Sequence, residues 1–235
     1  MNKETFIENY RTAFGNYELP IVFWYSKEPA VQCRKSKGCY LKDLDECRQG
    51  GLLSYGLDDI SCPGGKVYAG FSEEPPFLSG FVSGKEKFKS RPELVTRFID
   101  ELNLPNLSTK YLNFAPLSYI EDLKMVEGLV FFATPDVLSG LVYWAQFDSN
   151  NNDAVSVPFG SGCSSLLSQT LVENSLGGKR TFIGLFDPAA RSHFNENILT
   201  FAIPMSRFEE LYHTFDQCCL QGTHAWQKIK DRIDG

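Results

Sequence analysis

"GLVFFATPDVLSGLVYWAQF" (Gly128–Phe147) is the stretch whose reading decides the fold class. It opens with an unbroken apolar run rich in β-branched and aromatic residues, the composition of a buried strand. Pro135 then interrupts the run. After it, Val137, Leu138, Leu141, Val142 and Ala145 recur at helical spacing. A proline in the first turn of a helix removes an N–H that had no helical partner, so it marks a helix start. The unit read here is therefore strand, proline turn, helix.

A second stretch has the same design. "LPIVFWYS" (Leu19–Ser26) reads as a buried strand, Pro29 supplies the turn, and a helical segment follows near Tyr40–Arg48. Further pairs extend the likeness. "GGKVYAGF" (Gly64–Phe71) answers "GGKRTFIGLF" (Gly177–Phe186), and "RPELVTRFIDEL" (Arg91–Leu102) answers "IPMSRFEELYHTF" (Ile203–Phe215). The last two carry apolar stripes at helical spacing, Leu94, Val95, Phe98, Ile99 and Leu102 in one, Phe208, Leu211, Tyr212 and Phe215 in the other. The expectation is an α+β protein of two diverged copies of one α/β unit, residues 18–104 and 110–217, with mixed or antiparallel sheets and helices. "NLPNLSTK" (Asn103–Lys110) would link them. Phe6, Tyr10 and Phe14 predict a helix within 1–17, and Trp226, Ile229 and Ile233 predict a docked helix within 218–235.

Composition bounds the function. The chain has 235 residues, 43% hydrophobic and 14% aromatic, enough for a sizeable core. A net charge of −6 argues against a nucleic-acid partner, which needs a basic face. The one basic run, "SGKEKFKSR" (Ser83–Arg91), is broken by Glu86 and reads as a solvated loop. No apolar run is long enough to span a bilayer, and the N-terminus has no apolar signal core, so a cytoplasmic location without membrane association is expected. Seven cysteines, an odd number, fit free thiols in a reducing compartment. Cys218 and Cys219 read as packing residues of a helix.

Two of the thiols stand at helix starts. In "SCPGG", Pro63 predicts a helix with Cys62 as its N-cap, and Gly64 and Gly65 keep that helix slim enough for a close approach. In "FGSGCSSLL", Ser161, Gly162, Cys163 and Ser164 form a similar start. Exposed N–H groups and the positive end of a helix dipole favour thiolate over thiol, and can equally hold an anion. A pseudo-twofold relation would bring Cys62 and Cys163 to one cleft. In "FDPAAR", Asp187 and Pro188 initiate a turn, and Arg191 could clamp Asp187 or reach a ligand anion. The plainer alternative is that these cysteines only pack, as free cysteines commonly do.

Other chemistries are weaker. Cys33, Cys39, Cys47 and Cys62 are separated by five, seven and fourteen residues, whereas structural zinc prefers close pairs. Iron–sulfur ligation tolerates looser spacing, and Cys39, Cys62 and Cys163 could meet through the fold. The only histidines are His193, His213 and His224, so a Cys–His enzyme has few bases to draw on; neither G-x-S-x-G nor a phosphate-binding glycine motif occurs.

The stretches "YGLDDISCPGGKVYAGF", "VFFATPDVLSGLVYWAQFD", "VPFGSGCSSLL", "IGLFDPAAR", "LTFAIPMSRF" and "WQKIKDRI" together resemble the uncharacterised family catalogued as domain of unknown function 169, from about Asn16 to Ile233. The resemblance implies a soluble prokaryotic α+β protein and no established activity. It places Cys62, Gly64, Gly65, Gly162, Cys163, Asp187 and Arg191 within the matching stretches. It makes Cys39 the early cysteine ahead of a short helix, and leaves Cys33 and Cys47 particular to this chain.

The expectation is a protein of unknown function that binds a small molecule or cofactor near Cys62 and Cys163, with redox chemistry one option. Its candidate binding residues are Cys62, Gly64, Gly65, Ser161, Gly162, Cys163, Ser164, Asp187 and Arg191. The alternatives are a metal or iron–sulfur cluster on Cys39, Cys62 and Cys163, and a non-catalytic interaction protein. Whether it is an enzyme stays open at this point.

Overall fold

In the computed structural model, which describes residues 1–234, the chain begins with helix α1 (Lys3–Phe14), capped by the Asn2 side chain. Strand β1 (Ile21–Ser26) follows, then a 3-10 turn (Tyr40–Asp43) running into α2 (Leu44–Arg48), strand β2 (Leu53–Tyr55) and α3 (Pro63–Tyr68). A short α4 (Leu78–Gly80) continues as a π turn (Phe81–Lys85), and α5 (Pro92–Leu102) leads to β3 (Tyr111–Pro116). The second half comprises β4 (Gly128–Ala133), α6 (Pro135–Gln146), β5 (Val155–Ser156), a π turn (Ser164–Ser168) running into α7 (Gln169–Ser175), and β6 (Thr181–Gly184). It closes with α8 (Pro188–Arg191), β7 (Leu199–Pro204), α9 (Met205–Tyr212) and α10 (His224–Asp234).

The protein is α+β. Its strands form one seven-stranded sheet in the order β2-β3-β1-β4-β7-β6-β5, antiparallel except for the parallel pair β5–β6. At the centre, β1 runs antiparallel to β4, with Val22 opposite Leu129. Side chains alternate across the sheet, and helices cover both faces. On one face, Val22, Trp24, Leu129, Phe131, Phe201 and Ile203 pack under α1, α6, α9 and α10. On the other, Ile21, Phe23, Phe114, Val130, Phe132 and Ala202 pack under α2, α3 and α7. Burial on both faces is why β1 and β4 read as continuous apolar runs and not as alternating ones.

The expected helices at both ends are present. Phe6, Tyr10 and Phe14 of α1 are buried, and Trp226 of α10 is buried with its indole N–H donating to Ala13 O at 2.8 Å. Trp144 on α6 is fully buried and donates to Leu211 O at 3.0 Å. Gly128 is required at the start of β4, since a Cβ there would stand 2.4 Å from Thr170 and 2.9 Å from the Phe23 ring. No helix among the described residues is long and apolar enough to cross a membrane.

The two glycine-rich stretches compared in sequence fold differently. Gly64–Phe71 is most of α3 and the turn after it, whereas Gly177–Phe186 is a turn leading into β6. Local glycine content sets a turn or a helix start, and the neighbouring contacts decide which. The Asn103–Lys110 segment leads from α5 into β3, which pairs with β1 and β2. About the central β1–β4 pair, the strands run β1, β3, β2 outward on one side and β4, β7, β6 on the other, where β5 adds a fourth strand with no counterpart. Cys218 and Cys219 lie in turns between α9 and α10, not on a helix.

Candidate functional site

Three loop-to-helix junctions meet on the face of the sheet that carries Ile21 and Phe23. The first two are tied by serine hydroxyls. Ser61 N–H donates to Ser36 Oγ at 3.0 Å, Gly38 N–H donates to Ser61 Oγ at 2.9 Å, and Ser36 N–H donates to Asp59 O at 2.8 Å. These bonds hold the residues before Cys39 against those before Cys62. The third junction locks in through Gly162. A Cβ there would stand 2.9 Å from Leu41 and 2.9 Å from Ala190, so only glycine lets this helix start sit against the 3-10 turn that follows Cys39.

Each cysteine then takes its place. Cys62 is the N-cap of α3, with Pro63 at the first helical position, and its sulfur accepts the Gly65 N–H at 3.4 Å. Cys39 immediately precedes the 3-10 turn and makes no side-chain cap bond to it, while the nearby backbone N–H groups of Leu41 and Lys42 favour its anion. Cys163 lies in the first turn of the helix that becomes the π turn Ser164–Ser168. A π turn is uncommon and is frequent at functional sites. Cys39 and Cys62 are half-buried, and Cys163 is 5% exposed.

The sulfurs sense one another. Hydrogen bonding from the Cys163 thiol is the largest influence on Cys39, and it brings Cys39 from the ordinary 9.0 down to about 7 despite partial burial. The same contact, then burial, then the charge of Cys39, pushes Cys163 well up. Burial raises Cys62, opposed by the N–H groups of Gly65 and Gly64. Asp187 adds negative potential at both Cys39 and Cys62.

Asp187 is the structural pivot. Its Oδ1 accepts the Ala190 N–H at 2.9 Å and caps α8, and its Oδ2 accepts the Gly162 N–H. One buried carboxylate thus orients two helix starts, and the second carries Cys163. Leu185, two positions before it, is fully buried at φ +66°, a conformation costly for a bulky side chain, and held here because surrounding contacts fix it. Ser161 completes the junction: its carbonyl accepts Ser165 N–H at 3.2 Å and its hydroxyl accepts Ser164 N–H at 3.4 Å.

Beside the thiols lie polar groups with no partner among the described residues. The Tyr40 hydroxyl is buried next to Cys163, and the Ser164 hydroxyl, on the residue after Cys163, is buried against Gly160. A buried hydroxyl left unbonded costs roughly 1–3 kcal/mol, so such groups stand out. Gly65 brings α3 against this tyrosine, where an added Cβ would lie 3.1 Å from the Tyr40 ring.

The structure therefore brings together Cys39, Cys62, Cys163, Gly65, Ser161, Gly162, Ser164 and Asp187. Gly64 lies on the outer side of the α3 start, half-buried, against Leu78 and Tyr68. Arg191 does neither thing expected of it: its guanidinium donates to the carbonyls of Ile198 and Glu196, bracing the loop before β7. Burial and then Asp59 raise Cys33, and Cys47, buried on the inner side of α2, is pushed up to about 12 by that burial. His193, His213 and His224 are all exposed.

Among the described residues, no three His, Cys, Asp or Glu side chains stand in the geometry of a single metal ion. Two surface grooves lie away from the thiols. One, of about 540 Å3, runs between the start of α1 and Glu121–Lys124, and one, of about 530 Å3, lies between the end of α3 and the end of α5.

A family model described as Uncharacterised ArCR, DUF169, matches residues 18–214. The chain belongs to the DUF169 family. No curated protein and no solved structure matches it. The DUF169 span contains all three thiols, Tyr40, Gly162 and Asp187, while α1 and α10, which cover the opposite face of the sheet, lie outside it.

Proposed function

We propose that this DUF169 chain binds a small molecule or cofactor at the three-thiol site of Cys39, Cys62 and Cys163, with a redox link through the sulfurs. One observation carries the reading. Thiols from three distant segments converge beside the buried Tyr40 hydroxyl, which lacks a hydrogen-bond partner. The cysteines border the apolar cluster under the sheet, and the setting adds to it an unpaired Tyr40 hydroxyl and the Gly65 N–H pointed at the Cys62 sulfur. Gly65, Gly162 and Asp187 serve the site by positioning, and Ser161 and Ser164 line the start of the third helix.

The test is site-resolved thiol labelling of the reduced protein, with native mass spectrometry of gently isolated material. The reading expects at least one of the three thiols to label faster near neutral pH than in denatured protein, or a retained ligand mass that is lost in Cys39→Ser. Bare polypeptide mass together with denatured-like labelling at all three positions defeats it.

A second reading, an iron–sulfur cluster or other metal on the same cysteines, is favoured by the Gly65 N–H directed at the Cys62 sulfur, since such a bond stabilises a ligating thiolate. It has to accommodate the lack of single-ion geometry noted above. Anaerobic purification with metal analysis and a visible spectrum decides it, and colourless metal-free protein excludes it. The strand runs β1, β3, β2 and β4, β7, β6 about the central pair support descent from a duplicated α/β unit. A cytoplasmic location accords with seven free thiols, and a net charge of −6 with the lack of a nucleic-acid partner.

A further inference from the structure

We infer that the excursion Phe77–Arg91 docks this chain on anionic phospholipid surfaces, with Phe77 and Phe81 entering the interface and Lys85, Lys87 and Arg91 meeting the headgroups. The inference is independent of the thiol site. α4 and the π turn that continues it present one outward stripe, since the exposed positions 77, 80, 81, 84 and 85 recur at helical spacing. The inward side is already apolar. Leu78 is 7% exposed and lies against the start of α3 at Gly64, and Val82 is half-buried. The outward side is apolar as well: Phe77 is 59% exposed and Phe81 46%. A surface helix that packs one apolar face normally turns polar residues to water, so a second apolar face calls for a cover.

Charge decides what the cover is. The excursion carries Lys85, Lys87, Lys89 and Arg91 against one acid, Glu86. Lys89 is taken up over the Phe159 ring at 3.9 Å. Lys85, Lys87 and Arg91 are exposed, and none of them pairs with a carboxylate among the described residues. The acids just before the excursion, Glu73 and Glu74, line the groove between the ends of α3 and α5. Positive charge is thus concentrated on a chain whose net charge is −6. A second copy docked here would set like charges together, whereas an anionic headgroup layer satisfies the cations and takes the phenyl rings at the acyl boundary. The approach is unhindered, because Gly80 and Gly84 on the same stripe have nothing within 4 Å of where a Cβ would stand. The backbone is already ordered: Phe81 N–H donates to Phe77 O at 2.9 Å, Glu86 N–H to Phe81 O at 3.1 Å and Phe88 N–H to Val82 O at 3.0 Å, so docking has little order to gain. Association of this kind departs from the expectation of no membrane partner. That expectation rested on the lack of a spanning segment, and docking at the surface needs none.

The experiment sediments the full-length protein with vesicles of phosphatidylglycerol and phosphatidylcholine, and with vesicles of phosphatidylcholine alone, at about 0.1 M and about 0.5 M salt. Hydrogen exchange of the wild-type protein on the anionic vesicles locates the contact. Binding is expected to the anionic vesicles only, with release at the higher salt and with exchange slowed in Phe77–Arg91. Lys85→Gln should weaken vesicle binding about fivefold, and Phe81→Ser about tenfold. No binding to anionic vesicles at low salt, equal binding to both vesicle types, or slowed exchange elsewhere with none in Phe77–Arg91 overturns the inference. A concentration-dependent dimer in sedimentation velocity that Phe81→Ser abolishes assigns the face to a second copy and overturns it too. The exchange measurement needs no variant, so a misfolded mutant leaves the test intact.

Discussion

The pH dependence of Cys39 is the sharpest quantitative consequence of the site. Hydrogen bonding from Cys163 and the N–H groups of Leu41 and Lys42 lower its pKa, while burial and Asp187 raise it, leaving Cys39 at about 7 against an ordinary 9.0. At pH 7 about half of Cys39 is then thiolate, against about one part in a hundred for an unperturbed thiol, a gain of about 50-fold. Intrinsic nucleophilicity falls with pKa, with a Brønsted slope near 0.4–0.5, which returns about 6- to 10-fold over two units. The net advantage is about 5- to 8-fold before partial burial slows access. The profile is therefore more telling than the rate. Alkylation of Cys39, followed by peptide mass spectrometry from pH 5.5 to 10, should rise with a midpoint near 7. Cys163→Ala removes the largest stabilising contact and should move that midpoint up by about a unit or more. A midpoint near 9 in the native protein, or one that does not respond to Cys163→Ala, refutes the electrostatic account of the site.

Other outcomes follow from the packing around the thiols. Asp187→Ala removes the cap of α8 and the acceptor for Gly162 N–H, so a loss of roughly 2–3 kcal/mol is expected in urea unfolding, with a smaller loss for Asp187→Asn, which keeps one acceptor oxygen. Gly162→Ala forces a methyl to 2.9 Å from both Leu41 and Ala190; roughly 1–3 kcal/mol should be lost, and the Cys39 profile should shift toward that of a free thiol as the junctions separate. Asn113 joins three strand segments, accepting from Ala30 N–H at 2.9 Å and Ser54 Oγ at 2.7 Å and donating to Ser26 Oγ at 2.8 Å. Asn113→Leu should cost roughly 3 kcal/mol in the same assay while leaving Cys39 labelling unchanged, because the lost bonds lie on the opposite side of the sheet from the thiols.

Much of this was legible in the residues themselves. The apolar runs at Ile21–Ser26 and Gly128–Ala133 are strands, Pro135 opens α6, Pro92 opens α5, and Cys62 caps the helix that Pro63 begins. These are local effects: a proline fixes one torsion and lacks one donor wherever it stands, and a strand buried on both faces has no room for polar side chains. The same locality misled where context rules. Gly64–Phe71 and Gly177–Phe186 read alike, yet one is a helix and the other leads into a strand, because sheet pairing recruits Thr181–Gly184 and no partner strand meets α3. Arg191 was a plausible anion contact by type, but the carbonyls of Glu196 and Ile198 claim it.

By itself, then, the amino-acid order determined the fold class, most helix starts and the presence of thiols at two of them. Only the tertiary structure decided that Cys39 and Cys163 come near enough to shift one another's titration, that Asp187 ties together two helix starts, and that Tyr40 and Ser164 bury hydroxyls without partners. The physical reason is range. Caps and turns are settled by bonds across three or four residues, whereas the meeting of sulfurs far apart in the chain depends on how the junctions stack on a common sheet face, held by Ser36, Ser61 and the bare backbone of Gly162.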